Sequence, residues 1–202
     1  MKTNTLKTYV LLLGLLAFAS CKKNSTEPKP DEPAFVDPEM TYIDLTGKSV
    51  AWGESLAVDL DGNKKTDLLF YTELHSIDLN TKVVRKYFVN AGTAVTLAAL
   101  ISNETTPDLE KGAIISRDKF PGYEWHPVLN FSLMQYVTAG SQTYWEGSWK
   151  DRDHRYLPLE LNISGNTYPG WIELFADTKN EKLVFYRAAF SKTPQTRIRA
   201  GY

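Results

Sequence analysis

Apolar and polar positions alternate through most of this chain. Leu157, Leu159, Leu161 and Ile163 fall on one side of a period of two, with Pro158, Glu160 and Asn162 on the other. That spacing predicts a half-buried β-strand. Ser164-Gly165-Asn166 follows as a turn signal, and the next apolar run, 167–176, carries Trp171, Ile172, Leu174 and Phe175. The pair reads as a hairpin. A second turn over 177–181 leads to a third strand over 182–190, so the C-terminal third is expected to be a meander. Earlier strands are predicted at 54–60, 67–73, 83–89, 94–101 and 128–137. Residues 94–101 also suit a helix through Ala98, Ala99 and Leu100. Loops are expected at 103–108, 120–123 and 149–154. No long stretch holds a 3.6-residue period, and turns recur about every 8–12 residues, which predicts an all-β fold. The expected architecture is a two-sheet β-sandwich, jelly-roll-like, forming a single domain over residues 40–202.

The N-terminus has a different pattern. Lys2 and Lys7 precede an apolar run from Tyr9 to Phe18, and the small residues Ala19 and Ser20 come next. This is the layout of an export signal over residues 1–20. The run is about ten residues, whereas a spanning helix needs about 20. Phe18-Ala19-Ser20-Cys21 resembles the bacterial lipobox, which implies that Cys21 becomes the acylated (palmitate-type) first residue of the mature chain. One acyl chain binds a bilayer marginally and several hold it stably. Residues 21–39 contain Pro28, Pro30, Pro33 and Pro38 among polar residues, a composition expected to form an extended tether. The chain is therefore expected to be lipid-anchored at the outer membrane, on the periplasmic face or the cell surface.

Composition narrows the field. Hydrophobic residues make up 43% and charged residues 23% of the 202 residues, with eleven Tyr, nine Phe and five Trp, which is enough to build a core. A formal net charge of −1 gives no basic excess, so nucleic acid is not expected as a partner. The single cysteine excludes an internal disulfide and a Cys-rich zinc site.

One motif carries chemistry. Asp59-Leu60-Asp61-Gly62-Asn63-Lys64-Lys65-Thr66-Asp67 has the form D-x-D-G-N-x-x-x-D. Calcium takes oxygens from carboxylates, amides and main-chain carbonyls. Alternate positions of a tight loop turn Asp59, Asp61 and Asn63 toward one centre, Lys65 can add its carbonyl, and Asp67 closes the loop. The helix-loop-helix calcium motif wants Gly at its sixth position and Glu at its twelfth, where this chain has Lys64 and Phe70. With β-like flanks, the segment resembles the strand-loop-strand calcium loops of FG-GAP repeats. That resemblance implies side-chain ligands at Asp59, Asp61, Asn63 and Asp67, and the expected role of calcium is structural. Together with the later Gly170-Trp171-Ile172-Glu173-Leu174, a G-W-I-x-L strand, the chain resembles uncharacterised secreted β-domains common among Bacteroidetes lipoproteins. The resemblance implies a sandwich fold and an exported location, and no activity.

The functional classes divide accordingly. Glu124, Glu146, Asp151, Asp153 and Glu160 are scattered acids, and His75, His126 and His154 lack a nucleophile elbow or an H-E-x-x-H motif beside them. No enzyme is expected on this basis. Trp125, Tyr144, Trp145 and Trp149, with Tyr123 nearby, are the candidate ligand-binding rings, because exposed aromatic faces stack on sugars. The segment 151–155 could supply polar groups beside them. The leading expectation is a structural or accessory interaction lipoprotein with an outer-membrane protein partner, and the alternative is a glycan-binding module in a polysaccharide-uptake system.

Overall fold

The alternating segments become strands in the computed structural model, which describes residues 35–202 except 78–80, 101, 103–104, 118–121 and 128–129. Cys21 and the expected signal lie outside the described residues. In chain order the strands are β1 (Met40–Asp44), β2 (Ser49–Ala51), β3 (Ser55–Val58), β4 (Leu68–Ile77), β5 (Lys82–Ala91), β6 (Val95–Ala99) and β7 (Ile114–Ile115). The second half contributes β8 (Glu124–Pro127), β9 (Asn130–Ala139), β10 (Gln142–Glu146), β11 (Arg155–Ile163), β12 (Asn166–Asp177), β13 (Lys182–Ser191) and β14 (Ile198–Arg199). The segment around Ala98 and Ala99, which also suits a helix, is the strand β6.

The fold is an all-β sandwich. One sheet has seven strands in the order β1-β13-β12-β11-β6-β8, with β2 also paired to β13, and the other has five in the order β10-β9-β5-β4-β3. Every strand pairing in them is antiparallel. Leu157, Leu159 and Leu161 of β11, Ile172 and Leu174 of β12, and Phe185 of β13 face Phe70, Tyr87, Val89 and Phe131 of the smaller sheet, in one core. Phe70 and Phe185 meet edge to face across it, with centroids 4.6 Å apart.

The larger sheet is also covered on its outer side. β14 pairs with β7, and Ile115, Ile198 and Ala200 pack with Met40, Tyr156, Trp171 and Ala189 in a second apolar cluster. This layer explains why β11, an alternating strand in sequence, is buried from Tyr156 through Leu161. Its two prolines fit the ladders. Pro158 lies one residue before the pairing of β11 with β6, which starts at Leu159. Pro169 lies one residue before the pairing of β12 with β13, which starts at Gly170. Neither position needs the N–H that proline lacks.

Two local features shape the outer face. The β12–β13 register shifts at Glu173/Leu174, so that Glu173 pairs with Arg187 and Leu174 with Phe185. Tyr186 is the extra residue of that bulge. The edge strand adjusts there: Leu45 N–H donates to the Tyr186 carbonyl at 3.0 Å, between β1 and β2. The start of the body is also clasped to its end. Asp37 pairs with Arg199, whose Nε donates to Asp37 Oδ1 at 2.9 Å, and Glu39 pairs with Lys192. The last residues of the expected tether, from Val36 onward, thus belong to the same compact unit as the strands. Among the described residues no helix is long and apolar enough to cross a membrane.

Gly170 shows how tight the centre is. A Cβ there would lie 2.5 Å from the Ala189 carbonyl oxygen and 2.9 Å from Leu159 Cδ1. The glycine of the G-W-I-x-L motif is thus a packing requirement. Gly170→Ala is expected to destabilise the domain by about 1–3 kcal/mol, as overpacking of a close-packed core does, measured as a lower midpoint in urea at unchanged slope.

Candidate functional site

The acidic motif is the loop that joins β3 to β4. Asp67 N–H donates to the Val58 carbonyl at 2.9 Å and closes the loop at its neck, while Leu60 anchors it in the main core. Gly62 at φ 77° and Lys64 at φ 68° make the bend through left-handed backbone. Asp59 Oδ1 accepts from Gly62 N–H and Asn63 N–H at 2.8 and 3.2 Å, and its Oδ2 accepts from Lys64 N–H at 2.7 Å. Asp61 Oδ1 accepts from Asn63 N–H at 3.0 Å, and Asn63 Nδ2 donates to Asp61 Oδ2 at 2.9 Å. Asn63 Oδ1 accepts from Lys65 N–H at 2.7 Å.

Asp59, Asp61 and Asp67 converge: one carboxylate oxygen from each lies within 4.8 Å of the others. Oxygens bound across a calcium ion are about 4.6–5.2 Å apart, twice the usual ligand distance. Asp67 is the buried member, 2% exposed, and its Oδ2 accepts from Leu60 N–H at 2.7 Å. Burial pushes its carboxyl up, and the charges of Asp61 and Asp59 push it the same way. The donor set is hard oxygen, which suits a hard divalent cation. Of the expected ligands, the three carboxylates come together, whereas the Asn63 amide oxygen is engaged by the loop's own backbone.

The four candidate rings do not share a face. Trp149 is fully buried in the main core, where its Nε1–H donates to the Thr106 carbonyl and hydroxyl at 3.2 and 3.1 Å. The expectation that Trp149 offers a ring to a ligand is corrected: it is a core residue inside a loop. Trp125 packs against the second apolar cluster and Trp145 against the main core. Tyr144, next to Trp145 on β10 and so on the opposite face, is 40% exposed. Other accessible aromatic surface lies at Tyr42 and at Trp52 beside Arg85, whose guanidinium sits 5.5 Å from the Trp52 ring and 4.4 Å from the Tyr136 ring. Nothing in the spacing of these residues marks them, because register alone brings them together.

A second polar assembly lies on the outer face of the larger sheet. Glu173, the variable position of G-W-I-x-L, is buried. His154 Nδ1 lies 2.6 Å from its Oε1, and Arg187 Nε donates to its Oε2 at 2.9 Å. His154 stacks on Tyr186 with ring centroids 4.2 Å apart, and the Tyr186 hydroxyl donates to Asp153 Oδ1 at 2.5 Å. Burial alone would push the Glu173 carboxyl up, but hydrogen bonds from Arg187, His154 and Tyr156 outweigh it and hold the group below its usual range. Burial, with Glu173 beside it, pushes the Tyr156 hydroxyl up to about 12. A charged residue amid an apolar strand was the one sequence signal for this network. No known protein family, curated protein or solved structure matches the chain.

Two carboxyl groups shifted in opposite directions can be separated experimentally. Glu173 titrates lower when folded than its ordinary 4.5, so its stabilisation is present above about pH 4.5 and is lost as pH falls further. Glu173→Gln is expected to flatten that acid-side loss in a pH series of melting temperatures. Asp67 is raised, so its ionised form weakens the metal-free fold at neutral pH, and the penalty is relieved as pH falls through the raised value. Asp67→Asn keeps an acceptor for Leu60 N–H, so its Tm in chelator at pH 7 is expected to equal or exceed that of the parent.

Proposed function

We propose that this chain is a non-enzymatic, lipid-anchored interaction module in which the 59–67 loop holds a structural calcium ion. The observation that carries the reading is the convergence of three carboxylates within 4.8 Å of one another, one of them buried, in the loop that joins β3 to β4. Three like charges in that space repel one another, and a divalent ion at their centre turns the repulsion into attraction. The loop already has the bend that ligation needs, because its own N–H groups orient Asp59 and Asp61. The ion would pin β3 to β4 at one end of the five-stranded sheet and so stiffen a surface for a partner. The lipobox-like Cys21 supports a membrane anchor, at the outer membrane on its periplasmic face or at the cell surface.

Calcium is expected to raise Tm in a saturable manner, by a stabilisation of about 2.7 kcal/mol when free calcium is a hundred times its Kd. Asp61→Ala is expected to abolish that increment. Identical melting of the parent in calcium and in chelator overturns the calcium reading. For the anchor, Cys21→Ser is expected to leave the protein unacylated and in the aqueous phase of a detergent partition; persistence in the detergent phase overturns that part.

A further inference from the structure

Of the three histidines in the chain, His154 is the one with a carboxylate near each ring nitrogen. His75 Nε2 lies 3.1 Å from Glu73 and His126 Nε2 3.7 Å from Glu124, and among the described residues their Nδ1 atoms meet no acid. His154 Nδ1 lies 2.6 Å from Glu173 Oε1, and its Nε2 lies 3.9 Å from Asp153 Oδ2. The backbone sets the ring there: His154 takes a left-handed φ of 49°, a conformation uncommon outside glycine, and its imidazole stacks on Tyr186. The ring lines a cavity of about 440 Å³ with Tyr42, Asp44 and Arg187. None of these residues belongs to the 59–67 loop, so this site and the calcium reading stand or fall separately.

The roles of the two nitrogens follow from their neighbours. Glu173 is buried, and Arg187 Nε donates to its Oε2 at 2.9 Å, which favours the ionised carboxylate. An ionised carboxylate only accepts, so Nδ1 carries the proton toward it. In the neutral ring Nε2 then holds the lone pair. The two nitrogens of an imidazole point in divergent directions, so that lone pair is directed away from Glu173, on a side chain 58% exposed. A carboxylate behind the ring fixes its tautomer and orientation and raises the basicity of the outer nitrogen, a support that metal-binding histidines share. Asp153 is arranged in the same manner. Its Oδ1 accepts from the Tyr186 hydroxyl at 2.5 Å and from the His154 N–H at 2.8 Å, while Oδ2 accepts no hydrogen bond among the described residues.

One nitrogen lone pair and one carboxylate oxygen, each backed by a second group, form an N,O chelate. Calcium takes oxygen ligands, whereas zinc and its neighbours accept imidazole beside carboxylate. A tetrahedral zinc ion holds an N and an O ligand about 3.4 Å apart, so the Asp153 side chain, 52% exposed, closes the remaining distance of about half an ångström by a small rotation. The charges agree with a cation: Glu173, Asp153 and Asp44 stand around the ring against the single guanidinium of Arg187, which Glu173 already answers. Two of the four tetrahedral positions remain for water or for a donor from a partner. We propose that His154 Nε2 and Asp153 Oδ2 chelate a zinc-class divalent ion on the outer face of the seven-stranded sheet, with Glu173 and Tyr186 positioning the two ligands.

The test titrates zinc by calorimetry into the full chain, untagged and in detergent, with excess calcium present so that the 59–67 loop does not compete. The expected result is one ion per chain, bound more than about tenfold more weakly by His154→Gln and by Asp153→Asn, and equally well by His75→Gln and His126→Gln. Tyr186→Phe keeps the stacked ring and removes the hydroxyl that orients Asp153, and it is expected to weaken binding by about tenfold, the lower end of what such supporting groups contribute. The metal-free Tm of Asp153→Asn is expected to match that of the parent, which separates lost ligation from lost folding. No zinc binding in the presence of calcium, unchanged affinity in His154→Gln or Asp153→Asn, or an equal loss in His75→Gln overturns the proposal.

Discussion

The seven-stranded sheet is buried on one face and covered over part of the other, and the rest of the molecule follows from that constraint. One face closes the sandwich with the five-stranded sheet, and the other lies under the thin layer of β7 and β14. A polar side chain on the covered face cannot rely on water, so each one needs a partner within the protein or from outside it. Glu173 has found its partners in Arg187, His154 and Tyr156, helped by the bulge that places both Tyr186 and Arg187 beside it. Glu160, on the next strand of the same face, is held by Thr96 and Arg117.

The 59–67 loop obeys a different logic. Its backbone is organised without any ion, since Asp59 and Asp61 each cap N–H groups of their own bend. Such capping is what Asp and Asn do in ordinary turns. What ordinary turns do not require is Asp67, which brings a third carboxylate into the buried neck of the hairpin against the charges of the other two. That repulsion is the physical reason to read the loop as a cation holder rather than as a polar tip.

Much of the sandwich could be read directly from the residues. The period of two in 157–163, the Ser164-Gly165 turn and the runs that follow became β11, β12 and β13, and Ser164 and Gly165 both take the left-handed φ that a two-residue hairpin turn demands. The D-x-D-G-N-x-x-x-D spacing gave the loop and its three converging acids. The second layer was not legible, because β7 and β14 are two residues each and carry no periodicity. For the same reason Trp149 read as a loop ring: loop residues look alike in sequence whether they face water or a core. The partners of Glu173 and Glu160 come from strands and loops distant in sequence, and only three-dimensional register brings them together.

The clasps of Asp37 to Arg199 and Glu39 to Lys192 give the body a mechanical character. A tug on the chain ahead of Val36 meets two ion pairs before it reaches the β1–β13 ladder. The load is handed to the far end of the polypeptide, so the edge strand is loaded only after the clasps give way. A pull applied at the leading end of the body is thus resisted at the point where it arrives.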